Sequence, residues 1–360
     1  MFNSVKKTIV ICCIGFLFQI FSPVTAQQIK KDSATKPKKF LAIPTLNYNR
    51  SLGLEVGATI MFFNNFKNDT VSPPSISGIK GYYTTNKSWV VFAFQRLFYQ
   101  QDNWRSVWVL GTGDVNFQFY TEEIPGGDFI DYTTTRNFIY FSTTKRIYAR
   151  LYAGLSIMYT KLNTEFYTEE YTGGNEISTK KLVGLGIPIV WDSRNSIFNP
   201  SKGIESKINI QINNKIFGSD LNFNAINITS NLYKKLRNKS VLANRITIYS
   251  GLGEVPFEGT KAIGKNDIRG YTKGEYRGKQ TATIQSEYRR LIKNNWSYVG
   301  FFGLASTFNT TKNKKWSGIL PGAGAGIRYM LLPSKKMNLG IDAAVGKNDW
   351  GVYFRIGEAF

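Results

Sequence analysis

The chain of 360 residues contains no histidine, and both of its cysteines, Cys12 and Cys13, lie close to the N-terminus. Histidine is the most frequent general base in enzymes, the commonest protein ligand of metals and the side chain that titrates near neutral pH. Its absence argues against a catalytic triad and against most metal sites. We therefore expect no enzymatic activity, no metal and no cofactor, and no disulfide or thiol chemistry once the N-terminal segment is removed.

Residues 1–26 have the pattern of a secretory signal peptide. Two lysines precede an apolar run at 8–21, and small residues up to Ala26 provide a cleavage site. A lipid-modified cysteine is the weaker alternative, because Cys12 follows Ile11 and Cys13 follows Cys12, where a small residue is needed. The pattern predicts export by the Sec pathway, followed by a basic periplasmic tail at 27–39.

The formal net charge of +22 is large for a chain of this length. A basic chain suggests nucleic acid as a partner, but the export signal argues against it and we expect none. Cations at the ends of membrane strands and in loops would instead face the phosphates of lipopolysaccharide or anionic lipid. Outer-membrane lipid and lipopolysaccharide are therefore the expected surroundings.

Long apolar runs are also missing, since none after residue 26 approaches the ~20 residues that a membrane-spanning helix requires. Aromatic residues nevertheless make up 15% of the chain, and there are 33 glycines. A transmembrane barrel distributes its apolar surface over alternate positions of many strands, which fits this composition. The fold class predicted is all-β, as an outer-membrane barrel.

Alternation of apolar and polar residues recurs along the chain and predicts sixteen antiparallel strands. They are expected at 40–48, 52–62, 77–83, 88–98, 104–119, 136–145, 148–161, 180–190, 204–213, 222–235, 239–250, 280–292, 297–306, 319–330, 336–346 and 350–360. An even number closes a single-chain barrel, with both termini in the periplasm. We expect one barrel over 40–360, with long outward loops at 120–135, 162–179, 251–279 and 307–318.

The last predicted strand, 350–360, ends on an aromatic residue, which is typical of outer-membrane barrels. Trp350, Val352, Phe354, Ile356 and Phe360 share its apolar face, which Glu358 interrupts. We interpret Phe354, Ile356 and Phe360 as a C-terminal barrel signal that faces lipid.

The longest predicted loop, 251–279, carries Arg269, Gly270 and Tyr271. The strand after it places Glu287 on the side that faces the lumen. If the loop folds back into the barrel, Arg269 reaches Glu287, and breaking such a shielded pair costs roughly 3–5 kcal/mol. From these residues alone an ordinary surface loop is the alternative.

Together these features resemble the outer membrane protein 85 superfamily, which includes the BamA, TamA and bacterial surface antigen barrels. Ile268-Arg269-Gly270-Tyr271 is similar to the signature of its lumenal loop, and Ser286-Glu287-Tyr288-Arg289 to the strand motif that follows. Asp192, Arg194, Pro200 and Gly203 are similar to the family's turn before the ninth strand. The C-terminal segments 326–329 and 357–360 resemble short members from Bacteroidetes-type bacteria.

Two features depart from the family's pattern. Members usually carry periplasmic POTRA domains ahead of the barrel, and the predicted strands leave no room for one, so a short form is expected. The thirteenth strand usually offers an aspartate to the loop arginine, and Gly303 stands there instead. Glu287 would then be the only acidic partner of Arg269, unless Asp342 on the fifteenth strand contributes.

The resemblance implies insertion or translocation of other proteins at a weak seam between the first and last strands. Pro44 removes a hydrogen-bond donor from the first strand, and Gly351 and Gly357 would weaken the last; equally, Pro44 could simply start an edge and the glycines could leave lumen space. One hypothesis is an accessory or specialised factor in outer-membrane protein assembly or translocation, with protein partners in the periplasm or outer membrane. The alternative is a structural or passive pore barrel without insertase activity.

Overall fold

The computed structural model describes residues 39–49, 52–121, 128–167, 176–237, 239–264, 267–271, 274–310 and 315–360. The predicted signal peptide, and the predicted tail up to residue 38, lie outside these ranges. Within them the chain forms a closed, sixteen-stranded antiparallel barrel. The predicted all-β class and the number of strands are confirmed. No helix among the described residues is long and apolar enough to cross a membrane.

The barrel strands, numbered here in chain order, are β1 Phe40–Asn49, β2 Gly53–Asn64, β3 Ser75–Thr84, β4 Trp89–Tyr99, β5 Trp104–Thr121, β6 Asp128–Tyr148, β7 Leu151–Phe166, β8 Glu176–Asp192, β9 Gly203–Asn213, β10 Phe223–Lys235, β11 Ser240–Gly253, β12 Arg277–Lys293, β13 Trp296–Thr310, β14 Leu320–Leu332, β15 Met337–Gly346 and β16 Asp349–Ile356. Each pairs with its neighbours in sequence, and β1 meets β16. A two-residue strand, Lys261–Ala262, lies in the loop after β11, pairs with the start of β12 and is not counted as a barrel strand.

The two faces of the wall differ as the alternation predicts. On β12, Thr283, Gln285 and Glu287 are buried in the lumen, whereas Ile284 on the same strand is exposed on the outside. An outer face of isoleucine, leucine and valine suits a hydrocarbon environment, and a lumen of threonine, asparagine and charged side chains does not. The outer face is therefore the lipid-facing one.

Two of the predicted long loops are wrong. β5 and β6 stay paired as far as Thr121 and Asp128, and β7 and β8 as far as Phe166 and Glu176. Most of 120–135 and much of 162–179 is therefore strand, and 122–127 and 168–175 lie outside the described residues. These extensions are polar and lack the apolar alternation from which the strands were predicted. Threonine and tyrosine favour strands even without an apolar face, so the strands continue there. The loop between β11 and β12 is long, as predicted.

Candidate functional site

The closure between β1 and β16 is much shorter than the other strand pairings. β1 pairs with β2 at ten positions, from Phe40 opposite Phe62 to Asn49 opposite Gly53. It pairs with β16 at two, where Tyr48 lies opposite Val352 and Asn49 opposite Gly351. The rest of the described β1 strand thus leaves its second edge without a backbone partner.

The register shows which backbone groups face this seam. The carbonyl of Lys39 accepts a hydrogen bond from the Phe63 N–H of β2. In an antiparallel pair the bonded positions alternate, so odd-numbered residues of β1 bond to β2 and even-numbered residues face β16. The missing N–H of Pro44 therefore belongs to the seam edge. Beyond Tyr48 a side chain replaces the backbone acceptor: Asn47 Oδ1 accepts a hydrogen bond from the Phe354 N–H at 2.6 Å.

The end of β16 lies inside the wall that β1 and β2 form. Phe354 and Ile356 pack against a buried apolar cluster that includes Ile43 and Met61, both on the lumenal face. The prediction that Phe354 and Ile356 face lipid on the outer surface is wrong. β16 stays paired with β15 as far as Ile356 but separates from β1 after Val352, so its outer face covers the inner face of β1 and β2. The two edges of the sheet overlap here instead of joining.

The last four residues continue into the lumen, so the predicted strand at 350–360 is four residues too long. Gly357 has a φ of 85° after the strand ends at Ile356. The carbonyl of Phe360 accepts a hydrogen bond from Arg289 Nη2 at 2.7 Å, and its ring lies 5.6 Å from the Arg289 guanidinium. The lipid-facing placement of Phe360 is therefore wrong as well. Alternation alone could not show that the strand ends before this residue.

The loop between β11 and β12 also enters the lumen and brings Arg269 to Glu287. The Arg269 side chain is fully buried, with Nη2 2.6 Å from Glu287 Oε2 and Nη1 2.7 Å from Asp342 Oδ2. Nε donates to Gln285 Oε1 at 3.1 Å. The Glu287 contact is an ion pair without the angles of a hydrogen bond. Two carboxylates from different strands thus hold one guanidinium.

Asp342 is shared by three arginines. In addition to Arg269, it accepts from Arg328 Nη1 at 2.5 Å and from Arg355 Nε at 2.6 Å. Arg328 also contacts Glu358 Oε2 at 3.1 Å, which draws the C-terminal segment into the same cluster. The Glu358 side chain is thus a buried partner of this network. Charged hydrogen bonds of this kind, with several partners for each ion, offset the cost of removing the charges from water.

Other residues take the place of the aspartate that the thirteenth strand lacks. Gly303 leaves no room for a side chain, since a Cβ there would lie 2.6 Å from the Ile284 carbonyl. Two residues earlier on β13, the Phe301 ring lies with its centroid 3.3 Å from the Arg269 guanidinium carbon. The aromatic face covers the cation, and Asp342 supplies the second carboxylate from β15.

Gly270 and Tyr271 fix the position of the loop. Gly270 has a φ of 103°, and a Cβ on it would lie 2.5 Å from the backbone of Val345. Tyr271 donates its hydroxyl to the Pro321 carbonyl at 2.6 Å and accepts from the Lys347 N–H. Burial raises the pKa of the Tyr271 phenol, so the group stays protonated and able to donate. The loop backbone is thereby fixed to β14 and to the end of β15.

The turn before β9 forms a second buried charge cluster in the lumen. Asp192 accepts from Arg194 Nε at 2.9 Å and from Arg105 Nη1 at 2.7 Å. Arg194 also contacts Glu205 Oε1 at 2.6 Å. Sequence reasoning missed Arg105 and Glu205, although both lie at lumen-facing positions of strands that it had predicted.

Pro200 and Gly203 shape the same turn. The Pro200 carbonyl lies 3.5 Å from Arg289 Nη1, and Arg289 Nε lies 2.7 Å from Glu287 Oε1, so Arg289 connects the turn to the first cluster. Gly203 has a φ of 102°, and a Cβ on it would meet the Ser193 carbonyl at 2.2 Å. Two residues before Pro200, the ring of Phe198 contacts the ring of Phe63 on β2. The turn therefore lies inside the barrel and reaches the seam.

Among the described residues no group of histidine, cysteine, aspartate or glutamate side chains could hold a metal ion. The carboxylates of both clusters are instead occupied by arginines. The arrangement is suited to holding strands and loops in place, whereas most of the β1 edge at the seam has no backbone partner.

Comparison with known proteins agrees with this geometry. A family model described as the Omp85 superfamily domain matches residues 93–360. BamA from Haemophilus ducreyi lacking POTRA domains 1–3 superposes with a TM-score of 0.59 at 14% identity, over 89% of this chain and 70% of that one. CdiB from Escherichia coli gives 0.61 at 11% identity, over 90% and 63%, and CdiB from Acinetobacter baumannii 0.56 at 12%, over 89% and 60%. The chain thus spans less than two thirds of either CdiB structure. No curated protein matches the sequence.

Proposed function

The chain belongs to the Omp85 superfamily, and from that premise we propose that it is an accessory or specialised factor in protein assembly or translocation at the outer membrane. The family and the barrel place the described residues in that membrane. Its barrels serve protein assembly or translocation; the specific role is our proposal.

The observation that carries the proposal is the edge of β1. Two paired positions join it to β16, against ten that join it to β2. An unpaired strand edge exposes N–H and C=O groups that can add an extended segment of another chain as a further strand. Inside a membrane such groups gain more from a partner than in water, because lipid offers no hydrogen bonds. The seam is thus suited to receiving a client strand.

The buried charge cluster explains why movement would be confined to the seam. Asp342 on β15 holds both Arg355 on β16 and Arg269 of the loop. The C-terminal side of the seam is therefore attached to the lumenal loop and to β12, whereas β1 is attached mainly to β2. Separation of β1 from β16 breaks two backbone pairings and the Asn47–Phe354 hydrogen bond, and it leaves this cluster intact.

The passive-pore alternative has less support. The lumen contains the Arg269 loop, the turn with Phe198 and the C-terminal residues around Phe360, all held by contacts to the wall. A barrel that serves as a pore needs an open path. The lumenal segments make diffusion along the barrel axis the weaker proposal.

All described elements belong to the barrel and its connections, and none forms a separate periplasmic domain that could capture clients. We therefore propose that protein partners in the periplasm or outer membrane deliver them. We further propose that the exposed cations lie against lipopolysaccharide or anionic lipid, and that the chain is exported after cleavage near Ala26.

The decisive experiment combines a deletion strain with a variant whose seam can be locked by a disulfide. Residues 39–360 contain no cysteine, so a Tyr48→Cys, Val352→Cys pair would form a disulfide across the seam. The matched control, Tyr48→Cys with Leu54→Cys, bridges β1 to β2, where the residues also lie opposite each other. Outer-membrane proteomics and pull-down from native membranes give the readout.

Deletion should deplete other outer-membrane proteins. The oxidised seam pair should fail to restore them, whereas the reduced pair and the β1–β2 control should succeed. An unchanged outer-membrane proteome on deletion, together with conductance of the purified barrel in planar bilayers, would instead support the pore.

A further inference from the structure

A cavity of about 300 Å³ lies directly inside the seam. Most of its wall is apolar and comes from Met61, Phe94, Phe198, Met337, Phe354 and Ile356. It exists because the end of β16, still paired with β15, lies inside β1 and β2 instead of pairing with β1. The volume is at the lower end of small-molecule sites, which span roughly 300–1,000 Å³.

Two polar side chains in this cavity are buried without partners. Thr45 on β1 and Thr59 on β2 are each 5% exposed, and neither hydroxyl has a hydrogen-bond partner among the described residues. A buried hydroxyl without a partner costs about 1–3 kcal/mol, so such groups normally face something that satisfies them. Both line the same cavity. Their position indicates a ligand that carries hydrogen-bonding oxygens.

The same end of the cavity carries a positive charge. Lys80 on β3 lies directly opposite Thr59 in the register and also lines the cavity. In the described part of the chain it has no carboxylate within ion-pair distance; its ammonium group lies 5.8 Å from the centroid of the Tyr82 ring. A lysine beside two hydroxyls is suited to a carboxylate or phosphate.

We propose that this cavity binds a single-chain anionic amphiphile of the fatty-acid type. The acyl chain would lie among Met61, Phe94 and Phe354, and its anionic head would contact Lys80 and the hydroxyls of Thr45 and Thr59. The unpaired part of the seam gives such a molecule access from the bilayer. The small volume excludes a lipid with two acyl chains. This binding site is separate from the proposed client edge, because it uses side chains of the lumenal face instead of backbone groups.

The test is photolabelling of the full-length barrel in nanodiscs of zwitterionic lipid. The probe is palmitic acid with a diazirine in its chain, compared with the alcohol of the same length carrying the same group. Labelled peptides are identified by mass spectrometry, with and without excess unlabelled palmitic acid. Lys80→Gln removes the charge, and Lys161→Gln, at an exposed position on β7, is the matched control.

The acid should label peptides that contain Met61, Phe94 or Met337, and unlabelled palmitic acid should suppress this labelling. The alcohol should label these peptides about tenfold less than the acid does. The acid should likewise label the Lys80→Gln variant about tenfold less than the unaltered chain, since one charged hydrogen bond changes affinity by roughly that ratio. Lys161→Gln should behave like the unaltered chain. Equal labelling by acid and alcohol of the unaltered chain would overturn the proposal, whether or not Lys80→Gln folds. So would labels confined to peptides elsewhere on the lipid-facing wall, such as the one that contains the exposed Ile139, since both results describe partition into the bilayer.

Discussion

Arg269 and Asp342 lie 73 positions apart in the chain, yet Nη1 of the first is 2.7 Å from Oδ2 of the second. This contact joins the loop between β11 and β12 to β15. Because the same carboxylate also accepts from Arg355 on β16 at 2.6 Å, the loop supports the C-terminal side of the seam. A change in the lumenal loop should therefore be measurable at the seam.

Replacement of Arg269 by alanine should release the loop and destabilise the barrel. It leaves Glu287 and Asp342 buried with fewer partners, and breaking a buried ion pair from one side costs roughly 3–5 kcal/mol. We expect faster protease cleavage within 254–276 and a lower temperature for the heat-dependent shift on gels. Arg290→Ala is the control, since Arg290 lies on the same strand as Glu287 and is exposed. Equal protection of the loop from protease in both variants would contradict the contacts of Arg269 with Glu287 and Asp342.

Much of this site follows from the sequence because a barrel strand alternates strictly. That alternation places Glu287 and Asp342 in the lumen, and with the loop motif it gives both carboxylates as candidate partners of Arg269. The alternation does not show where a strand stops pairing with its neighbour. Phe354 and Phe360 keep the spacing of lipid-facing residues, yet the overlap at the seam turns them inward. That overlap depends on contacts with β1 and β2, roughly 300 positions away in the chain.

Asp342→Asn should destabilise the barrel more than Glu287→Gln. Asp342 contacts three guanidiniums, those of Arg269, Arg328 and Arg355, whereas Glu287 contacts two. Neutralising Asp342 leaves three buried cations in mutual repulsion, so the loss should exceed the roughly 3–5 kcal/mol of a single broken pair. Urea unfolding in lipid vesicles measures the difference. The control Asp131→Asn, at an exposed position on β6, should change stability little. A larger stability loss for Glu287→Gln than for Asp342→Asn would contradict the shared-carboxylate arrangement.

Gly270→Ala should displace the loop without any change of charge. The φ of 103° is unfavourable for alanine by about 1–3 kcal/mol, and the new methyl group would overlap the backbone of Val345. We expect partial protease access to the loop and a stability loss of that order or more. Gly300→Ala on β13 is the matched control, because a Cβ there has open space around it. If both variants unfold alike, the loop backbone does not pack against Val345 as the structure shows.

The overlap at the seam predicts different rates of disulfide formation at two neighbouring pairs. Tyr48 and Val352 lie opposite each other, within the Cα separation of about 4.4–6.8 Å that a disulfide requires. If pairing continued, Leu46 would lie opposite Phe354, but Phe354 packs inside the barrel. A Tyr48→Cys, Val352→Cys pair should therefore oxidise quickly, and a Leu46→Cys, Phe354→Cys pair slowly, in membranes treated with a mild oxidant. Tyr48→Cys with Leu54→Cys reports the rate for a fully paired edge. Equal rates at all three pairs would show a seam that is closed along β1, and the client edge proposed for this barrel would then be unavailable.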